Sequence, residues 1–243
     1  MDRMIYLSMT GAKATMQRQD VLANNLANAS TPGFRAELQA FRAVPVRGDG
    51  ASTRVYALET TTGADQTPGA ITATGRNLDV AMQGNAWLAV QGLDGAEAYT
   101  RAGGLEVAAD GTLTTRAGLP VLGDGGPIQV PAGSIVNIGQ DGTVSARAGN
   151  AANPTAVGRL KLVTPEAPLQ RGTDGLFRAP GGDPLPADET ARLQDGALEG
   201  SNVSAVETMV AMIAAARQFE QQMKLLQTAE SSERTAAKLL APN

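Results

Sequence analysis

Two long stretches at opposite ends of this chain carry helical periodicity, and the residues between them carry strand and turn signals. In the first, Ile5, Met9, Ala12, Met16, Gln19, Ala23 and Leu26 recur in alternating steps of four and three. That is a heptad seam on one helix face, with Lys13, Gln17 and Asp20 opposite. Good helix formers continue to Ala27, and Ser30-Thr31-Pro32-Gly33 then stops the helix. Pro32 has no N–H to donate, and it pushes Thr31 out of the helical region. The expected helix covers residues 3–28, about 26 residues or roughly 39 Å.

The last stretch covers residues 204–240, roughly 37 residues or about 55 Å. Ser204 and Glu207 have capping-box spacing. Ala205, Met209, Met212, Ala216, Phe219, Met223 and Leu226 repeat the four-three rhythm, and Val206, Val210 and Ile213 widen the stripe. The seam turns polar at Glu230 and Glu233 and recovers at Ala237 and Leu240. Helices much beyond 25 residues are unusual in small domains. Met and Ala in the seams suit adaptable packing between helices. Two helices lying on an ordinary globular core is the plainer alternative.

The middle reads as β. Leu78, Val80 and Met82 alternate, Trp87 to Val90 form an apolar run, and Ile128 with Val130, Val136 with Ile138 and Leu160 with Leu162 do likewise. Asp110-Gly111-Thr112, Asp141-Gly142-Thr143 and Asp174-Gly175-Leu176 read as hairpin turns rather than calcium loops, because few acidic residues flank them. Val44-Pro45-Val46 and Val55-Tyr56-Ala57-Leu58 are extended segments in a polar connector. The expected organisation is an N-terminal helix and motif over 1–34, a connector over 35–75, a β-rich domain over 76–195 and a C-terminal helix over 196–243. The fold class expected is mixed α and β. Long coiled-coil helices, mobile in the free monomer, flank a mainly antiparallel β domain.

Composition narrows the chemistry. The chain of 243 residues has no cysteine and no histidine. That removes thiol nucleophiles, imidazole bases and the common zinc ligand sets. No phosphate-cradling loop is present, and Asp188-Glu189 lies in a proline-rich loop. No catalytic, cofactor-binding or metal-binding residue is expected. Net charge is −4 without a basic stripe, so nucleic acid is not an expected partner. No run of 18 apolar residues occurs, so no membrane insertion is expected. Polar residues break the stretch after Met1, so a cleaved signal peptide is not expected either.

Asn24-Asn25-Leu26-Ala27-Asn28-Ala29-Ser30-Thr31-Pro32-Gly33-Phe34-Arg35 resembles the N-terminal signature of the bacterial flagellar rod and hook proteins. Glu199-Gly200-Ser201-Asn202-Val203, followed by Met212-Ile213 and Arg217-Gln218-Phe219-Glu220, resembles the C-terminal signature of the same family. Within it, the start Met1-Asp2-Arg3-Met4-Ile5-Tyr6, Pro32, the segment Phe41 to Val46 and Tyr99-Thr100-Arg101 are most similar to proximal rod members. The resemblance implies a structural axial subunit of the flagellar basal body, in the proximal part of the periplasm-spanning rod. It would transmit motor torque and be exported by the flagellar type III apparatus. Its partners would be copies of itself and other rod proteins, with no small-molecule substrate.

The family motif would reside in Asn24, Asn25, Leu26, Ala27, Asn28, Thr31, Pro32, Gly33, Phe34, Gly200, Ser201, Asn202 and Val203. The terminal helices would form an inner coiled-coil tube and order on joining the growing tip. The expected assembly interface is Ile5, Met9, Met16, Leu22 and Leu26 on the first helix, with Met209, Met212, Phe219, Met223 and Leu226 on the last. The rival readings are a distal rod or other axial protein of that family and a β-rich binding module on a coiled-coil stalk.

Overall fold

A computed structural model describes residues 2–45, 55–149 and 153–240; Met1 and Val46 of the segments quoted above lie outside them. Helix α1 spans Asp2–Ala27 and helix α2 spans Ala205–Leu240, with strands and turns between. The chain divides into two compact units. One holds residues 1–29, 37–63 and 203–243, and the other holds 30–36 and 64–202.

In the first unit α1 and α2 pack on each other, and the strand Glu37–Pro45 pairs with Val55–Ala64. Gly11 lies against the Gln222 side chain. Just beyond the helix ends, the Asn202 N–H donates to the Phe34 carbonyl at 3.3 Å. Gly11 and Gln222 are about equally far along the chain from that point, so the helices run antiparallel.

This architecture corrects the expected coiled-coil, mobile termini. Both helices are formed in the single chain and cover each other there; the mixed α and β composition stands. The buried stripe on α1 is Ser8, Ala12, Thr15 and Asn25, and on α2 it contains Thr208 and Ala215. Ala12 lies on the expected seam, whereas Ser8, Thr15, Asn25, Thr208 and Ala215 each sit one position before a seam residue, and Met9, Met16, Met209 and Met223 are exposed. Small residues win the contact because they let the two backbones approach closely. Their hydroxyls need no partner across it: Thr15 donates to the Gly11 carbonyl at 2.9 Å and Thr208 to the Ser204 carbonyl at 2.8 Å, each within its own helix.

The second unit is antiparallel β. Its largest sheet orders the strands Leu162–Val163, Trp87–Gln91, Glu97–Thr100, Phe177–Arg178 and Gln170–Arg171. Alternation along Trp87–Gln91 feeds two cores. Leu88 and Val90 join a cluster with Leu105, Leu113, Val121, Val144 and Leu193, while Trp87 and Ala89 join Tyr99, Val163 and Phe177. A strand buried on both faces reads as a continuous apolar run, as this one does. A three-stranded sheet, Ile135–Ile138, Thr143–Arg147 and Thr155–Arg159, lies beside it in sequence order.

One turn recurs at four hairpins. In Gly92–Ala96, Ala108–Thr112, Gly139–Thr143 and Gly172–Leu176 the first residue's N–H donates to the fifth residue's carbonyl, and the fourth residue's N–H donates back to the first residue's carbonyl. The third residue is Asp in each, and its carboxylate accepts from the fifth residue's N–H at 3.0–3.1 Å. The fourth is Gly in each, at φ 78, 86, 84 and 79°. That left-handed conformation is one that glycine adopts without penalty. The returning strands Leu193–Asp195 and Ala197–Glu199 pair with Val80–Met82 and Ile71–Ala73, and bring Glu199 back beside Gly69.

The signature residues and the buried ionic cluster

The two signature strings meet inside the second unit around one carboxylate. Glu199 Oε1 accepts from Arg35 Nη2 at 2.8 Å and from the Gly69 N–H at 2.9 Å. Its Oε2 accepts from Arg101 Nη2 at 2.6 Å and from Arg101 Nε at 2.7 Å. All three side chains are nearly sealed, at 2% exposure for each arginine and 1% for Glu199. Arg35 Nη1 donates to the Thr67 carbonyl at 2.6 Å, and Arg101 donates to the carbonyls of Gly84 at 3.1 Å, Met82 at 3.2 Å and Ala86, while the buried Arg35 Nε has no hydrogen-bond partner. Both guanidinium carbons lie 5.9 Å from the Trp87 ring centroid, within cation–π range. Burial lowers the Arg101 pKa from its ordinary value, opposed by the charge of Glu199 and assisted by that of Arg35.

Around this cluster the motif residues hold backbone. The Gly33 N–H donates to the Glu199 carbonyl at 2.8 Å. Gly33 has φ +71°, and a Cβ there would overlap the Arg101–Ala102 backbone. Asn202 Oδ1 accepts from the Ala36 N–H at 2.7 Å, while its Nδ2 donates to the carbonyls of Asp65 and Thr67, each at 3.0 Å. One side chain thus ties the backbone at Ala36 to the segment 65–67. The Phe34 ring is buried with the Arg171 guanidinium 4.6 Å from its centroid.

In the first unit Asn25 is buried; its amide donates to the Glu37 carbonyl at 3.0 Å and accepts from the Glu37 N–H at 2.8 Å. Asn28 donates to the Asn24 carbonyl at 2.9 Å, closing the end of α1. Ala27 and Thr31 are exposed, Pro32, Ser201 and Val203 are half-buried, and so is Gly200, whose N–H donates to the Ala70 carbonyl at 2.8 Å. These are structural roles. Among the described residues no three acidic side chains converge as a metal site.

Of the expected interface residues, Ile5, Leu22, Leu26, Met212, Phe219 and Leu226 are half-buried, while Met9, Met16, Met209 and Met223 are exposed. Tyr6, Val206, Val210, Ile213 and Leu225 are exposed as well. No described helix is long and apolar enough to cross a membrane. The expected site residues did not include Arg35, Arg101 or Glu199, although all three fall inside quoted segments. Their signal was a charge embedded in a signature string between apolar or glycine neighbours.

Three family models match in chain order. They are the flagella basal body rod protein over residues 5–35, the flagellar hook protein FlgE/F/G D1 domain over 81–146, and the flagellar basal body rod FlgEFG protein C-terminal region over 194–239. The chain is 51% identical to the flagellar basal-body rod protein FlgF of Salmonella typhimurium, over 99% of each chain. It is 50% identical to FlgF of Escherichia coli, again over 99% of each. It is 33% identical to the rod protein FlgG of Agrobacterium fabrum, over 94% of this chain and 95% of the relative. Signatures at both ends, matched domain models between them and full-length similarity agree: the chain belongs to the flagellar basal-body rod protein family.

Proposed function

We propose that this chain forms the proximal part of the rod and joins it through the outward faces of α1 and α2. It is a structural rod subunit of the flagellar basal body. The proximal position is supported by the higher identity to FlgF relatives, 51% and 50%, than to the FlgG relative, 33%. Its neighbours in that position are copies of itself and other rod proteins. It reaches the periplasm through the flagellar type III export apparatus. It carries torque and performs no catalysis, and it binds neither nucleic acid nor a small-molecule substrate.

One observation carries the assembly reading. The helices satisfy each other with small residues and leave Met9, Met16, Val206, Met209, Val210, Ile213, Met223 and Leu225 facing out. Exposed apolar surface of that extent marks an interaction site. Burying one such side chain against a neighbour contributes roughly 1.5–3 kcal/mol. Met209→Asp would lose that contribution and force a charge into the contact. The purified variant should keep its helical circular dichroism and melting midpoint, because the Met209 side chain is exposed. A deletion strain carrying it should be non-motile, with rods arrested early in electron tomograms. Complete basal bodies and normal swimming would overturn the reading.

A further inference from the structure

We propose that Met9, Met16, Met209 and Met223 are a peroxide-accessible set whose conversion to sulfoxide blocks subunit association while leaving the subunit folded. The inference rests on the assembly reading above, and adds a chemical control to that surface.

The methionines differ in environment, and Met212 on α2, half-buried, stands between the extremes. Met9 is 55% exposed, Met16 53%, Met209 46% and Met223 39%, whereas Met82 in the β core is 1% exposed. The four lie on the two packed helices. Met9 and Met223 fall near one level of the pair, each within two residues of the contact between Gly11 and Gln222. The surface is therefore unusually rich in thioethers for a chain that holds eight methionines among 243 residues and no cysteine. With no thiol present, thioether sulfur is the soft nucleophile that a peroxide meets on this surface.

The chemistry is balanced with one peroxide per methionine. A sulfur lone pair attacks one peroxide oxygen and a sulfur–oxygen bond forms. The oxygen–oxygen bond breaks, and the departing hydroxide takes up the proton to leave as water. Sulfur is oxidised by two electrons and the peroxide is reduced by two. A flexible apolar side chain becomes a polar one. Met-rich contacts lose their packing when that happens. The fold is expected to be spared because the buried residues of the two helices include Ser8, Ala12, Thr15, Thr208 and Ala215, which have nothing to oxidise, and the half-buried Met212 is not among the four.

The test uses the purified full chain and hydrogen peroxide, with sulfoxides mapped by peptide mass spectrometry. Circular dichroism and the fluorescence of Trp87 are followed in parallel. The expected result is conversion of the four methionines while Met82 stays a thioether, with both spectra unchanged. Conversion of Met82 at the same rate, or loss of helical signal as the four convert, overturns the proposal. Concentration-dependent cross-linking is then compared for untreated, oxidised and enzymatically repaired chain, using both methionine sulfoxide reductases. Oxidation should abolish the cross-linked species and repair should restore it. Cross-linking indifferent to oxidation overturns the control. Absence of cross-linking in untreated chain instead overturns the reading of these faces as self-contacting.

Discussion

Glu199→Gln tests whether the buried cluster is what holds the two signatures together. The carboxylate meets four donors: two nitrogens of Arg101, one of Arg35, and the Gly69 N–H. An amide has one oxygen, so in either orientation its NH2 faces two of those donors. The substitution also turns a cluster of two positive charges and one negative into two unpaired positives behind 2% exposure. Removing one partner of a buried ion pair costs about 3–5 kcal/mol, mostly because a charge is left buried and uncompensated. For a chain of this size that is a fall of roughly 6–20 °C in melting midpoint.

The same reasoning ranks a second variant. Arg35→Met removes one positive charge and leaves the pair Glu199–Arg101 neutral, so its cost is that of lost hydrogen bonds, about 1–3 kcal/mol. The assay is urea unfolding followed by Trp87, the one tryptophan of the chain, which sits 5.9 Å from both guanidinium carbons and reports the second unit. Glu199→Gln should be the weaker protein. If it unfolds within about 1 kcal/mol of the unmodified chain, or if Arg35→Met is the more damaging, uncompensated charge is not the governing term.

Gly33→Ala should cost on the order of 3 kcal/mol or more, because the residue has φ +71° and the added methyl would overlap the Arg101–Ala102 backbone; an unshifted urea midpoint would show that the backbone there can give way. Acid stability should depend on Asp188, whose pKa is held down to about 2, first by the Thr164 hydroxyl and then by the Thr190 hydroxyl and N–H. The folded value lies below the unfolded one of about 3.9, so this contribution is complete above pH about 4 and is lost as pH falls through about 2. Urea midpoints of Asp188→Asn and the unmodified chain should therefore differ near neutral pH and converge near pH about 2; a gap independent of pH would refute the assignment.

What could be read from the chain follows from how local each cause is. The recurring turn was legible at Asp110, Asp141 and Asp174, because its carboxylate, its glycine and its N–H donors lie within five residues. The buried strand around Trp87 was legible as an apolar run. The ionic cluster was not, because the partners Arg35 and Glu199 meet only after the intervening strands have paired. The apolar and glycine neighbours of Arg35 and Glu199 mark an unusual setting for a charge, but nothing local names the partner it meets.

The helices show a subtler limit. A four-three rhythm is shared by two neighbouring stripes, one through Met9, Met16, Met209 and Met223 and one through Ser8, Thr15, Thr208 and Ala215. Ranking by hydrophobicity picks the first. Close packing picks the second, since hydroxyls bonded to their own helix can be buried at little cost and small side chains allow close approach. A soluble monomer would gain by swapping the two, putting the large apolar residues inside and the small polar ones outside. The chain does the reverse in both helices, and that arrangement makes physical sense for a subunit whose outer faces are to be buried by the next one.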